Sequence, residues 1–301
     1  MTSLETLSQC PVCSASHFDS YLQPKDHTVS GKEFQIMACK GCGFLFTNPR
    51  PAASAIGQYY ESTDYISHHD EAKDLTSSLY NKVRDYTTQQ KIKLIKKLAG
   101  GKGSLLDVGC GAGFFLSKAK EAGWKVNGTE PDTQARDLSK NRVGDTIFES
   151  IEDLNFVGQT YDTITMWHVL EHVHLLNETM KWLHEHLKSN GKLIIAIPNP
   201  ESNDANEYRE LWAAYDVPRH LYHFSKKSLQ NLADNHAFKL EKVLPMWFDS
   251  YYVSMLSTRY QQGKTNLPES IWRGTISNIK GRASANDLPN TSSLIYVLSK
   301  V

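Results

Sequence analysis

One stretch narrows the fold more than any other: Leu105-Leu106-Asp107-Val108-Gly109-Cys110-Gly111-Ala112-Gly113-Phe114-Phe115. A strand-sized apolar run hands over, through three glycines, to a helical run. Glycine at 109, 111 and 113 lets the backbone turn sharply and lets a ligand approach with no Cβ in the way. Open α/β sheets bind ligands at such strand-to-helix junctions. The flanking pattern agrees. Strands are predicted at Ser104–Val108, Lys125–Thr129, Tyr161–Met166 and Lys192–Ile197, with helices at Gly113–Ala122, Asp132–Asn141 and Leu175–Lys188 between them. A further helix is predicted over Leu79–Leu98, stopped by Gly100-Gly101, and another begins after its cap at Ser225. Two late strands, Phe238–Val243 and Leu294–Leu298, flank an insertion. The alternation predicts an α/β fold with a doubly wound, mainly parallel sheet.

The chain carries 33 Lys plus Arg against 33 Asp plus Glu, so it lacks the basic surplus that drives nonspecific polyanion binding. Nucleic acid is therefore not the expected partner. Hydrophobic residues make up 40%, enough for a packed core. The longest apolar runs, such as Leu193–Ile197, are too short to cross a bilayer, and Met1–Cys10 has no apolar signal-like stretch. A cytoplasmic protein is expected.

Four of the five cysteines form two pairs, Cys10-Pro-Val-Cys13 and Cys39-Lys-Gly-Cys42. Two matched pairs read as four thiolates converging on one tetrahedral, structural zinc ion, since a tight turn across each two-residue gap aims both sulfurs at one point. Gly41 and Gly43 supply backbone freedom for those turns. A redox pair or unrelated thiols is the weaker reading. Glu33–Met37 fits a hairpin strand inside the gap. The segment ends in Asn48-Pro49-Arg50-Pro51, and Glu61–Ser78 reads as a linker or surface helix. Three units follow: residues 1–60 as a zinc-ribbon-like module, 61–248 as the ligand-binding core, and 249–301 as an aromatic-rich insertion plus the last strand.

Glu130, in Asn127-Gly128-Thr129-Glu130-Pro131, ends the strand after the glycine loop, where a carboxylate can accept hydrogen bonds from both hydroxyls of a ribose. A nicotinamide cofactor, and hence an NAD-dependent oxidoreductase, is one reading of a glycine loop. Its fingerprint, however, needs a third glycine where Phe114 stands, and Asp107 beside the loop would repel a diphosphate. A cofactor with an ammonium group and a sulfonium suits that charge. At these residues the sequence resembles the class I S-adenosylmethionine-dependent methyltransferases. The resemblance implies a Rossmann-like seven-stranded sheet with an antiparallel last strand and S-adenosyl-L-methionine as cofactor. It further implies that Asp107, Gly109, Gly111 and Gly113 line the methionine end and that Glu130, followed by Pro131, holds the ribose. By the same resemblance Ser150 and Ile151 flank the adenine, with Glu149 or Glu152 as its acidic contact, and Trp167 and His168 wall the other side.

Two histidine clusters remain. His168-Val169-Leu170-Glu171-His172 matches an inverted zinc-protease signature, yet it follows a strand where these methyltransferases carry a Glu-His pair. A hydrogen bond between Glu171 and His172 that braces the loop is the main expectation. The minor alternative is a second metal on His168, Glu171 and His172, since related quinone O-methyltransferases hold a divalent metal with a carboxylate-rich version of this segment. The second cluster is Asp216-Val217-Pro218-Arg219-His220-Leu221-Tyr222-His223-Phe224-Ser225. With the cysteine-rich start it resembles the zinc-containing methyltransferases that include sugar C-methyltransferases. That resemblance implies His220 as catalytic base, with Arg219 standing where the family has an acid and His223 as a bystander; a loop histidine bonded to backbone is the plain alternative. The insertion's aromatics (Tyr251, Tyr252, Tyr260, Trp272) suit an acceptor site or an oligomer contact equally. The leading expectation is a methyltransferase acting on oxygen or carbon of a small polar acceptor. The alternative in the same chemistry is an RNA- or protein-directed enzyme docking through its zinc module.

Overall fold

The computed structural model describes residues 3–61, 75–157, 159–282 and 288–301. Most of the stretch read as a linker or surface helix, Glu61–Ser78, lies outside the described residues. A short ribbon pairs β1 (Leu4–Glu5) with β5 (Arg50–Pro51). Between them, β2 (Phe18–Leu22), β3 (Ile36–Cys39) and β4 (Leu45–Thr47) form an antiparallel meander. Its fourth strand comes from far along the chain: β11 (Tyr222–His223) pairs antiparallel with β4, giving the order β11-β4-β3-β2. The cysteine-bearing sheet is thus completed by the very loop that carries His220.

The larger sheet has seven strands in the order β12-β13-β10-β9-β6-β7-β8. They are β6 (Ser104–Val108), β7 (Lys125–Thr129), β8 (Ile147–Phe148), β9 (Tyr161–Trp167), β10 (Leu187–Pro198), β12 (Phe238–Pro245) and β13 (Ser293–Lys300). Only β13 runs against its neighbours, β10 and β12, as expected for the last strand. All five residues of β6 are buried, as for a parallel strand covered on both faces. Helices α1 (Leu75–Leu98), α2 (Phe114–Glu121), α3 (Thr133–Val143), α4 (Leu176–His186), α5 (Asn203–Tyr208) and α6 (Lys226–Asn235) accompany it. Asp132 caps α3 by accepting from Ala135 N at 2.8 Å, and Ser225 caps α6 through Ser228 N at 3.1 Å. From β6 the chain builds β7 and β8 on one side, then crosses back to β9 and β10 on the other. The glycine loop therefore opens at the point where strand order reverses, the place where open α/β sheets carry their ligands.

Two boundaries differ from the sequence reading. Helix α4 stops at His186, and Leu187 is already extended, with a register shift before Lys192. The 168–172 string is no helix. His168 takes a left-handed backbone (φ 58°) and is followed by a single turn at Leu170–His172, because β9 runs on to Trp167 and its exit must bend toward the glycine loop. The insertion folds as two helices, α7 (Asp249–Gln262) and α8 (Leu267–Arg282), packed through small residues. A Cβ on Gly274 would lie 2.9 Å from Tyr251 and 3.1 Å from the Ser250 carbonyl, so the helices approach too closely for a larger side chain. Cys10, Val12, Cys39, Phe44 and Phe46 share one continuous apolar core with residues of the large sheet.

Candidate active site

All three glycines of the loop have positive φ (68°, 53° and 80° at 109, 111 and 113). Space as well as angle excludes other residues at two of them: a Cβ on Gly109 would meet Val169 at 2.5 Å, and one on Gly113 would meet Ser139 at 2.5 Å. At Gly111 no described residue lies within 4 Å of such a Cβ, so among the described residues this face of the loop is open. Glu130 turns back onto the loop. One of its oxygens accepts from Gly111 N at 2.8 Å and the other from Asp132 N at 3.0 Å. Each oxygen keeps a lone pair for a further donor, which fits a vicinal diol. Burial raises its pKa despite the two backbone bonds. Pro131 contributes its carbonyl, which holds Arg136 at 2.7 Å beside the same turn.

Asp107 is buried and accepts from Thr165 Oγ1 at 2.5 Å. Burial pushes its carboxyl up to about 7, with Thr165 and Lys91 opposing. Lys91, from α1, stands 4.3 Å from the centre of the Trp167 ring and is attracted by both Asp107 and Asp249. The Lys91 ammonium thus partners two carboxylates and an indole face at this corner. His168 sits between carboxylates too: Nδ1 is 3.4 Å from Glu171 Oε1, and Nε2 is 3.6 Å from Asp249 Oδ2. Burial works against its charged form, but Asp249 and Glu171 outweigh burial and raise its pKa. Lys91 and Asp249 went unnoticed in the sequence, because one lies on a solvent-like helix pattern and the other in an insertion; only packing brings them to β6.

At the proposed adenine side, Ser150 offers no free hydroxyl. Its N and Oγ both point to Asp153 Oδ2, at 3.0 and 3.3 Å, while Ile151 packs against the apolar core. Glu149 pairs with Arg136 at 3.3 Å. Asp153 is thus the carboxylate held at this turn by local bonds.

The Asp216–Ser225 segment is buried and pinned from three directions. Thr47 N donates to the Leu221 carbonyl at 3.0 Å, Thr47 Oγ1 donates to the His220 carbonyl at 2.8 Å, and Leu221 N donates to the Glu171 carbonyl at 2.8 Å. Since the Thr47 hydroxyl proton is used there, His223 Nε2 must donate to Thr47 Oγ1, at 3.2 Å. Burial and then His220 push His223 down to about 3, so it stays a neutral brace. His220 Nδ1 donates to the Ala214 carbonyl at 2.9 Å, which leaves Nε2 with its lone pair. The His172 ring crosses the His220 ring at 77°, centroids 4.6 Å apart.

Glu171 and His172 do not make the hydrogen bond expected of them. His172 Nδ1 faces the Arg219 carbonyl at 3.0 Å and the Tyr60 hydroxyl at 3.0 Å, and among the described residues the Glu171 carboxylate accepts no hydrogen bond. Backbone bonds brace the turn instead. Arg219, 2% exposed, sits in an ion cluster with Asp26 (3.4 Å) and Asp216 (2.5 Å), and Asp216 also faces His220 Nε2 at 3.9 Å. Asp26 comes from the cysteine-rich segment, so this cluster ties the segment to the His220 loop. No charge pattern in the sequence pairs residues 26 and 219.

The four paired cysteines converge: Cys10 and Cys42 sulfurs lie 3.7 Å apart, Cys13 and Cys39 3.5 Å, and all four sulfurs fall within 4.8 Å of one another. Ligands on a tetrahedral zinc at about 2.3 Å would be about 3.8 Å apart, so the donor set fits. None forms a disulfide. Gly43 does adopt a positive φ (76°), but Gly41 is required by space, since a Cβ there would lie 3.2 Å from Cys13 Sγ.

A methyltransferase-domain family model matches residues 80–243, more than half of the 301-residue chain. This chain belongs to the methyltransferase-domain family. It is 28% identical over 109 residues to an uncharacterized methyltransferase of Alkaliphilus oremlandii, a match covering 34% of this chain and 49% of that protein. The chain therefore spans about half the length of that curated relative. Its fold is similar to magnesium protoporphyrin IX methyltransferase of Synechocystis with bound S-adenosylhomocysteine (TM-score 0.52, 14% identity, 83% of this chain and 100% of that one). It is also similar to an S-adenosylmethionine-dependent methyltransferase of Archaeoglobus fulgidus (TM-score 0.48, 18% identity, 75% and 100%). The matched family is one of methyltransferases rather than of oxidoreductases, and the seven-stranded sheet is the fold shared with the Synechocystis enzyme. Among the described residues no helix is long and apolar enough to cross a membrane.

Proposed function

We propose that this methyltransferase acts on an oxygen or carbon of a small polar metabolite, a sugar or a planar compound, with His220 as proton acceptor. The observation that carries the reading is the tautomer of His220: Nδ1 is committed to the Ala214 carbonyl, and Nε2, with Asp216 Oδ2 at 3.9 Å, belongs to a loop clamped to Glu171, two residues from the Val169 that packs on Gly109. When bound, the cofactor supplies a methyl group already activated on a sulfonium. Glu130 would hold its ribose, Asp107 with the glycine loop its methionine end, and Trp167 and His168 its flank. Ile151 and the Ser150 turn would border the adenine. The remaining work is alignment, which can supply about 7–11 kcal/mol of the barrier, and proton removal, which adds about 10²–10⁴ in rate.

A zinc ion on Cys10, Cys13, Cys39 and Cys42 would hold the small sheet together. Because β11 is part of that sheet, the ion would also fix the His220 loop. That coupling favours the resemblance to zinc-containing methyltransferases, including those acting on sugars, over a docking role toward RNA or protein. The cytoplasm, with its reduced thiols, is the compartment this site suits. The test is a metabolite-pool assay with labelled S-adenosyl-L-methionine, followed by identification of the labelled compound. His220→Gln should lower transfer to that compound by about 10²–10⁴ at neutral pH with cofactor affinity retained. Full turnover by the variant would remove His220 from the role, and label appearing only in RNA or protein would overturn the acceptor class.

A further inference from the structure

Glu171 presents a problem that methyl transfer through His220 does not solve. Its side chain is fully buried, and among the described residues neither carboxylate oxygen accepts a hydrogen bond. The nearest cationic partner, His168 Nδ1, is 3.4 Å away and shared with the neighbourhood of Asp249. One shared imidazolium at that distance compensates a buried carboxylate only in part, and proteins that keep such a group supply a further cation or a metal.

We propose that Glu171, His172 and His220 form a binding site for one divalent transition-metal ion, distinct from the four cysteines. A carboxylate oxygen of Glu171 and one ring nitrogen each of His172 and His220 lie within 4.8 Å of one another. Ligands bound to a common ion at about 2.0–2.2 Å stand some 3–4 Å apart, so small side-chain rotations close the shell. Each imidazole has one ring nitrogen engaged by a main-chain carbonyl. His220 donates Nδ1–H to the Ala214 carbonyl at 2.9 Å, and His172 Nδ1 lies 3.0 Å from the Arg219 carbonyl. A bond to a carbonyl puts the proton on Nδ1 and the lone pair on Nε2, the usual support around a metal-bound histidine; the Tyr60 hydroxyl also reaches His172 Nδ1 at 3.0 Å, and Asp216 Oδ2 faces His220 Nε2 at 3.9 Å. The site is also held together by the main chain, since Leu221 N is bonded to the Glu171 carbonyl at 2.8 Å.

Two imidazoles and one carboxylate suit zinc, manganese, iron or cobalt rather than magnesium or calcium. Three protein ligands leave coordination positions open. The sequence reading placed a possible metal on His168, Glu171 and His172. In the fold His168 belongs instead to the Asp249 side, and the third ligand arrives from a loop some fifty residues on. The cation and the proton compete for the same His220 lone pair. With the ion seated, an acceptor hydroxyl in an open position would lose its proton to water and no longer need a base; this consequence alone rests on the proposed acceptor reading.

The experiment uses the full-length protein with its cysteines loaded with zinc, and neither acceptor nor cofactor, so that its outcome is independent of the methyl-transfer assignment. Cobalt(II) is titrated while its d–d bands are followed, the thiolate charge-transfer band reporting any exchange at the cysteines. One further equivalent of cobalt without the thiolate band is expected, weakened by about 10–100-fold or more in Glu171→Gln and His220→Ala. Retained zinc content and S-adenosylhomocysteine binding would show that the variants fold. Should a variant fail to fold, manganese(II) added to wild-type protein with nitrogen-15-labelled histidine should broaden the His172 and His220 ring signals before that of His223. No uptake beyond the cysteines at millimolar cobalt, equal uptake by folded variants, or broadening that spares both rings would overturn the site.

Discussion

Arg219→Met isolates the ion cluster between the cysteine-rich segment and the His220 loop. Arg219 bonds Asp216 through Nε (3.0 Å) and Nη2 (2.5 Å), Thr28 Oγ1 through Nη2 (3.0 Å) and the Tyr59 carbonyl through Nη1 (2.8 Å), with Asp26 at 3.4 Å. Methionine fills much of the volume but removes the charge. Breaking a buried pair from one side typically costs about 3–5 kcal/mol, because a charge is stranded. Here the lower end applies. Asp26 keeps hydrogen bonds from Thr28, Val29 and Ser30, and Asp216, 27% exposed, can reach water. A loss of about 3 kcal/mol corresponds to a fall in melting temperature of about 6–12 °C for a chain of this size. Urea unfolding followed by tryptophan fluorescence gives the free energy directly, provided the slope is unchanged. Adding Asp26→Asn to the variant removes one stranded charge and should recover about 1–2 kcal/mol, a coupling of the size seen between contacting residues. A loss below about 1 kcal/mol for Arg219→Met, or no recovery in the double variant, would mean that the cluster is solvated and the reasoning wrong.

Acid should weaken the fold through His223, whose pKa falls from 6.5 to about 3 on burial. Between those values the unfolded chain binds a proton that the folded chain refuses, so the contribution is complete above 6.5 and is lost as pH falls. About 2 kcal/mol should disappear between pH 7 and 5, and His223→Gln should flatten that part of the stability profile; an unchanged profile would refute it. The glycine loop separates folding from binding: Gly113→Ala drives a Cβ into Ser139 at 2.5 Å and should cost about 2–4 kcal/mol. Gly111→Ala enters open space and should cost about 1–2 kcal/mol through its positive φ, while weakening S-adenosylhomocysteine binding more than stability. Thermal unfolding with and without the ligand checks the order, and the reverse order would refute the assignment of the open face.

Much of the scaffold was legible in the one-dimensional pattern because each element answers to local rules. Apolar runs of strand length, glycines at 109, 111 and 113, and caps at Asp132 and Ser225 act over a few residues. The helix end at His186 and the bend at His168 were less legible, since tertiary pairing along β9 and β10 decides them.

Side-chain partnerships were the least legible part. Four cysteines announce a shared site through their spacing, and Glu130 announces itself by its place after β7. Nothing local joins Asp26 to Arg219, Lys91 to Asp107, or Glu171 to His220.

By itself, then, the sequence determined the sheet, the glycine turn at its switch point, the acid that faces it and the convergence of four thiols. Tertiary structure alone decided that the small sheet borrows β11 and so grips the His220 loop, that Asp107 shares its corner with Lys91, and that a buried carboxylate meets two imidazoles. The physical reason is range. Backbone preferences and turn geometry act between neighbours, whereas desolvation and charge pairing depend on which distant residues the folded chain shuts away from water together.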